Sequence, residues 1–385
     1  MSLNCHIFFS AIIINCFLSV TVFSQGVNSL LKEANSKYKS GNYSEAIAVY
    51  TRIIHRYPNT PIAYNNRGNS YFAISEVDSA LNDYSECITL DSMYYDAYNN
   101  RAIIYMMRSE FDNSLNDFNK AIGIDSAFAE AFNNRGSLYE MMNDTSEAID
   151  DYSEAVLLKP DFEKAMDNKA KLLIKLQRFD EAIELYNSLI ALNSGNKFYY
   201  YNRAVAYSGM GYIDSSVVNN SDAIKIDPDF TNAFINRGID YFDLNELDKA
   251  ISDFTRALKL DSTDYQIYYN RGNSYYKKGD YANSINDFLT VIKMKPDIPY
   301  PYNTLTYSYL KMNNNEQALY YANQYLNLVP DDANAYDTMG DVYMQTGEFE
   351  KAVSNYEKAI LMDDKFRAIS GPKLISAQEQ LKIHK

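Results

Sequence analysis

A chain of 385 residues with 36 basic and 50 acidic side chains carries a formal net charge of −14. That balance, with no basic stripe in the sequence to offset it, argues against a nucleic-acid backbone as partner. Tyrosine occurs 36 times and tryptophan not at all, so any fold proposed must place many phenols.

The N-terminal stretch stands apart. His6–Phe23 reads HIFFSAIIINCFLSVTVF, apolar and free of Lys, Arg, Asp and Glu. Val22-Phe23-Ser24 before Gln25 meets the small-residue preference of signal peptidase, and the run is near the lower length for crossing a bilayer. Residues 1–24 are therefore expected to be a cleaved export signal, favoured over an uncleaved anchor. The mature chain is then periplasmic, secreted or envelope-associated, meeting a membrane only through an uncleaved leader or a partner. Cys5 and Cys16 leave with the signal, and Cys87 is expected to be a buried small apolar residue.

From Val27 to Phe366 the sequence repeats every 34 residues without insertion or deletion, with frames starting at 27, 61, 95, 129, 163, 197, 231, 265, 299 and 333. One slot is small in nearly every frame: Ala34, Gly68, Ala102, Gly136, Ala170, Ala204, Gly238, Gly272, Thr306 and Gly340. Three residues later stands Tyr71, Tyr105, Tyr139, Tyr207, Tyr241, Tyr275, Tyr309 or Tyr343, with departures at Lys37 and Leu173. Further on, a second small slot holds Ala46, Ala80, Ser114, Ala148, Ala182, Ser216, Ala250, Ser284, Ala318 and Ala352. This pattern resembles the tetratricopeptide-repeat family. The resemblance implies an all-α, right-handed superhelical solenoid of ten helix-turn-helix repeats, first helices lining the concave face and second helices the convex one. Large truncations such as Tyr241→Ala or Tyr275→Ala are then expected to cost roughly 3–5 kcal/mol.

In chain order, repeat one is atypical, with Glu33 and Lys37 in slots that elsewhere hold mostly Arg and Tyr. Repeats two to four are close copies. The fifth is Lys-rich and ends in Ser194-Gly195-Asn196, a candidate soft joint. Repeats six to eight return to the pattern, and the ninth departs most, at Thr306, Asn315 and Ala322. Residues 367–385 read as a C-terminal capping helix. Gly371-Pro372 is expected to end one helix and begin another, with Leu374, Ile375, Ala377 and Leu381 on the buried side of the second.

Three patterns bear on function. Arg67, Arg101, Arg135, Arg237 and Arg271 each precede an Asp by 16 residues (Asp83, Asp117, Asp151, Asp253 and Asp287), whereas Arg203 faces Asn219. These read as ion pairs that fix register within a helix pair. An asparagine file, Asn66, Asn100, Asn134, Asn168, Asn202, Asn236 and Asn270, occupies one first-helix slot in seven successive repeats. It is similar to the inner-face asparagines of the superhelix of O-GlcNAc transferases, a resemblance that implies amides holding the backbone of an extended peptide. The other reading, that each Asn bonds the neighbouring repeat and tunes the superhelix, stays open. The third pattern is aromatic. Phe198, Tyr201, Ile235, Phe242, Tyr269, Tyr276, Tyr300 and Tyr307 are expected to face inward. More polar groups are expected in repeats two to five, among them Asn65, Asn69, Asp96, Asn99, Glu130, Asn133 and the Lys164/Lys171 pair.

The family's carboxylate clamp is missing its flanking basic residues. Enzyme chemistry finds no support: the histidines are His6, His55 and His384, and no metal spacing, phosphate loop or nucleophile elbow is present. No cofactor and no catalytic residue are expected. The sequence thus points to a non-catalytic scaffold binding an extended segment of one or more partner proteins in its concave groove. Two alternatives are a structural subunit of an envelope assembly, docked through the convex face and caps, and glycan binding by the tyrosine-lined half.

Overall fold

The computed structural model describes residues 26–384, and the expected signal and its cleavage site lie outside the described residues. Among them every regular element is a helix. The chain divides into two compact units, one ending at Leu176 and one beginning at Gln177. The division thus falls inside the fifth repeat and not at Ser194-Gly195-Asn196, where Asn196 caps the next helix by accepting from the Phe198 N–H at 3.0 Å.

The first unit contains a helix over residues 26–39 and then Tyr43–Arg56. Three more pairs follow: Pro61–Ala73 with Val77–Leu90, Tyr95–Met107 with Phe111–Ile124, and Ala129–Met141 with Thr145–Leu158. Glu163–Lys175 closes the unit. The second unit opens with Phe179–Leu192. It continues with Lys197–Gly209 and Ile213–Ile226, Thr231–Asp243 and Leu247–Leu260, Tyr265–Lys278 and Tyr281–Met294, Tyr300–Lys311 and Asn315–Leu328, and Ala333–Thr346 and Phe349–Met362. We call the two helices of a repeat A and B. Helices of 13 or 14 residues are marginal alone in water, so each survives by packing on its neighbours.

The turn between A and B always needs one left-handed residue: Gly41, Gly211, Gly279 and Gly347, but also Ser75, Ser109, Asn143, Gln177, Asn245 and Asn313. The next turn, from B to the following A, is held by an Asp that accepts from the N–H two residues on. Asp91 does so with Met93 at 2.9 Å, and Asp261 with Thr263 at 2.8 Å.

The interior of each repeat is a small residue on A lying over an aromatic ring on B. A Cβ at Gly68 would sit 2.7 Å from the Tyr84 ring and one at Gly340 2.4 Å from Tyr356, so these helices touch closer than any side chain permits. The rings beneath, among them Tyr152, Phe118, Phe254, Phe288 and Tyr356, are fully buried. The first-helix tyrosines such as Tyr241 and Tyr275 are only half-buried. The large truncation cost therefore belongs to the B-helix ring, not to Tyr241 or Tyr275.

Each Arg–Asp pair is bidentate. Arg101 donates through Nε at 2.7 Å and Nη2 at 3.0 Å to Asp117, and Arg67, Arg135, Arg237 and Arg271 do the same with their aspartates. The remaining nitrogen reaches the B helix of the preceding repeat: Arg101 Nη1 to Ser85 Oγ at 3.2 Å, Arg271 Nη1 to Thr255 Oγ1 at 3.1 Å. One guanidinium thus ties three helices. It also lies 5.8 Å from the ring centres of both Tyr98 and Tyr105 in the case of Arg101, a cation–π sandwich that accounts for many of the tyrosines.

Two expectations need correction. Repeat six does not return to the pattern: Asn220 stands where the other repeats hold the buried B-helix ring, or Ala322 in the ninth. And Pro372 does not start a helix; it sits inside one continuous helix, Phe366–Ile383. Contacts on both sides of the proline hold the axis together. Ser370 Oγ donates to Asp337 at 2.6 Å, Lys373 Nζ donates to Asp337 and Asp341 at 2.7 Å each, and Ala377 is buried with Leu374 packed beside it. Ile375 faces solvent instead of the cap's buried side.

Candidate partner-binding site

The seven asparagines are all half-buried on A helices, but their amides divide into two kinds. In the first unit they are bonded from repeat to repeat. Asn66 Nδ2 donates to Asn35 at 3.3 Å, Asn100 to Asn65 at 3.2 Å, Asn134 to Asn99 at 3.1 Å and Asn168 to Asn133 at 3.0 Å. Within each helix Asn65, Asn99 and Asn133 donate in turn to Asn66, Asn100 and Asn134 at 3.1, 3.3 and 3.2 Å. The result is an unbroken chain of amides running along four neighbouring A helices. Asn65, Asn99 and Asn133, expected on the groove face, are buried at 4, 5 and 1% exposure as its links.

In the second unit the same slot behaves differently. The acceptor for each Asn comes from the residue 35 positions upstream. For Asn236 that residue is Tyr201 and for Asn270 it is Ile235. Neither offers an amide. Among the described residues no side-chain hydrogen bond forms at Asn202, Asn236 or Asn270. Where an amide returns to the upstream slot the link returns too: Thr338 Oγ1 donates to Asn303 at 3.0 Å.

Asn236 and Asn270 instead line two adjoining clefts. The first, about 190 Å³, is bounded by Val205, Ser208, Ser216, Asn236, Ile239 and Asp240. The second, about 60 Å³, is bounded by Ile239, Phe242, Phe254, Asn270 and Asn273. Ile239 forms the wall between them, so two open amides 34 residues apart flank one apolar ridge. Lys277 closes one side, its Nζ 4.4 Å from the centre of the Phe242 ring. Ile239, Asn273, Val205 and Asp240 were not singled out from the sequence. A search for asparagines lacking an amide 35 residues upstream would have led to this place.

The expected aromatic lining is partly spent on packing. Tyr269 stands edge-on to Phe288 at 5.7 Å, Tyr201 to Phe230 at 5.2 Å and Tyr276 to Tyr281 at 5.6 Å. Tyr307 donates its hydroxyl to Asp341 of the next repeat at 2.9 Å, and burial pushes its phenol far above the usual range. Ile235 packs with the Phe234–Phe254 core. Phe198 and Tyr300 remain exposed, at 50 and 61%. Among the polar residues, Glu130 is held by Lys159 at 3.0 Å and Lys171 by Asp167 at 2.6 Å. Cys87 is buried, and burial pushes its thiol up to about 12. A wider open depression of about 610 Å³ lies between the turns at Leu328–Ala333 and Met362–Asp363, away from the asparagines.

Among the described residues no His, Cys, Asp and Glu converge as a metal site, and no helix is long and apolar enough to cross a membrane. Residues 31–91, 129–162, 163–196, 265–298 and 333–366 match the tetratricopeptide repeat, and 240–279 match a TPR repeat. A stretch of 64 residues is 36% identical to RNA polymerase II-associated protein 3 of Gallus gallus, covering 16% of this chain and 10% of that relative. The C-terminal part of a TPR repeat-containing protein from Cytophaga hutchinsonii superposes with a TM-score of 0.53 at 16% identity, over 62% of this chain and 98% of that one. YrrB, described as a TPR protein with an unusual peptide-binding site, gives 0.41 at 22% identity over 48% and 95% of the two chains. Repeat matches spread from residue 31 to residue 366, on helix pairs closed by a small residue over a buried ring, show that the chain belongs to the tetratricopeptide-repeat family.

Proposed function

We propose that this chain is an exported, non-catalytic scaffold that holds an extended segment of a partner protein against the A helices of repeats six to eight. The observation that carries this is the pair of half-buried amides, Asn236 and Asn270, free of side-chain partners and flanking Ile239. A primary amide presents both a donor and an acceptor, which suits the N–H and C=O of a peptide unit. Packed helices lie about 8–10 Å apart and an extended chain advances about 3.3–3.6 Å per residue. Hooks on successive A helices therefore meet about every third residue of the segment. Ile239 and Phe242 supply apolar contact between the hooks. The first unit, whose amides are bonded to one another, is in this account the rigid support.

The test is binding of a library of extended peptides to the chain from Gln25 onward, with and without Asn236→Ala/Asn270→Ala. Loss of at least tenfold in affinity with unchanged helical circular dichroism supports the groove. Equal binding by the double variant removes it. Export rests on residues 1–24, and the N-terminus of the mature protein, determined by mass spectrometry after expression with its leader, is expected at Gln25.

A further inference from the structure

Repeat six has a hole where its neighbours have a ring. The B-helix slot that holds Tyr186 before it and Phe254 after it holds Asn220, whose side chain is much shorter. Beside this shortfall lies the cleft of about 190 Å³ that Asn236 lines. Its floor is polar. Ser216 Oγ donates to Asp240 Oδ2 at 2.6 Å, and Asn220 Nδ2 donates to the same oxygen at 3.1 Å and to Ser216 at 3.3 Å. All three residues are at most 2% exposed, and Asn220 Oδ1 is buried with no hydrogen-bond partner.

Asp240 is not needed by the fold. The corresponding position is Ser36, Ser70, Ser274 or Ser308 in four repeats and Ile, Leu, Ala or Val in the rest. Every other buried Asp described above has a cation: an arginine in the five bidentate pairs and Lys373 at Asp337. Asp240 has only hydroxyl and amide donors, and burial pushes its carboxyl above the usual range. A buried carboxylate without a counter-charge is strongly disfavoured, and a cation brought to it is correspondingly favoured.

We propose that this cleft is a built pocket for a lysine side chain of the bound segment, the ammonium seated against Asp240 and the stem along Val205 and Ile239. This deepens the groove assignment above and rests on it. Lysine fits better than arginine. Asp240 Oδ2 already accepts two hydrogen bonds, so a flat guanidinium cannot take both carboxylate oxygens. An ammonium needs only scattered acceptors, which Asp240, Ser208 and Asn236 supply at the cleft wall.

The probe is a set of N-acetylated, C-amidated 11-residue peptides, identical but for one position carrying Lys, Arg, norleucine, Gln or Glu, read by fluorescence anisotropy. Wild type is expected to bind the Lys peptide at least tenfold more tightly than the norleucine peptide. Asp240→Asn should bring the two within twofold while leaving norleucine binding unchanged. Asn220→Phe, which restores the ring of the neighbouring repeats, should abolish the lysine preference and keep or raise the melting temperature. Hook-dependent binding with no lysine preference, or a preference that survives Asp240→Asn, overturns the pocket and leaves the groove standing. A second arm measures whether n-butylammonium, against 1-butanol in equal salt, raises the melting temperature of wild type but not of Asp240→Asn. That result without any hook-dependent peptide binding keeps the pocket and removes the groove; its absence together with the loss of peptide binding removes both.

Discussion

The two units place asparagine in the same slot and use it in opposite ways. In the first, each amide finds an amide on the helix before it, and Asn66, Asn100, Asn134 and Asn168 become cross-links. In the second, Tyr201 and Ile235 occupy the upstream position, and Asn236 and Asn270 keep their hydrogen-bonding capacity for something else. A residue's availability in a repeat protein is thus decided by its neighbour one repeat away. Scaffold and site are made from one motif.

The largest expected effects test the part the units share. Arg101→Met leaves the Asp117 carboxylate buried without its counter-charge and is expected to cost about 3–5 kcal/mol in chemical denaturation. Adding Asp117→Leu should recover most of that loss, since an apolar pair needs no compensation. Removing a B-helix ring should be as damaging in either unit: Tyr152→Ala and Phe254→Ala are each expected to cost about 3–5 kcal/mol by calorimetry. A much smaller loss in one unit would mean that its rings carry less of the packing than their burial implies.

The next test attacks the contrast directly. Ile235→Asn puts an amide upstream of Asn270, as Asn65 lies upstream of Asn100, and is expected to close the hook and lower peptide affinity at least tenfold. The reverse change, Asn99→Leu, breaks the chain at Asn100 and Asn134. It should cost about 1–3 kcal/mol of stability, the usual penalty for stranding buried polar partners, with peptide affinity unchanged. If Asn99→Leu instead abolished binding, the first unit would be part of the site.

The smallest effect concerns the turns. The second unit has glycine at Gly211, Gly279 and Gly347 in the left-handed slot, whereas the first relies on Ser75, Ser109 and Asn143 after Gly41. Relief of the left-handed strain at Ser109 outweighs the added freedom of glycine in the unfolded chain. Ser109→Gly should therefore stabilise by about 0.5–1 kcal/mol, seen as a rise in melting temperature.

Much of this molecule was legible beforehand because its interactions recur at a fixed sequence distance. The 16-residue offset predicted which arginine meets which aspartate, and the small slot predicted where a helix closes on a ring. The asparagine file was legible as a file but not as two kinds of asparagine, since that depends on a pair 35 residues apart on different helices. Asn220 was passed over because one polar residue in a helix is unremarkable until the void beside it is seen. Pro372 misled for a related reason. Local rules end a helix there, and only Lys373 and Ser370 on the preceding repeat keep it going.

The linear sequence by itself determined the repeat, its period, its helix pairs and the charge pairs inside them, because those depend on residues brought together by one hairpin. Which amides are spent, which are open, and that a carboxylate at Asp240 lies buried without a cation were decided only when hairpin packed on hairpin. Burial and hydrogen-bond satisfaction belong to that packing, and no single repeat contains them.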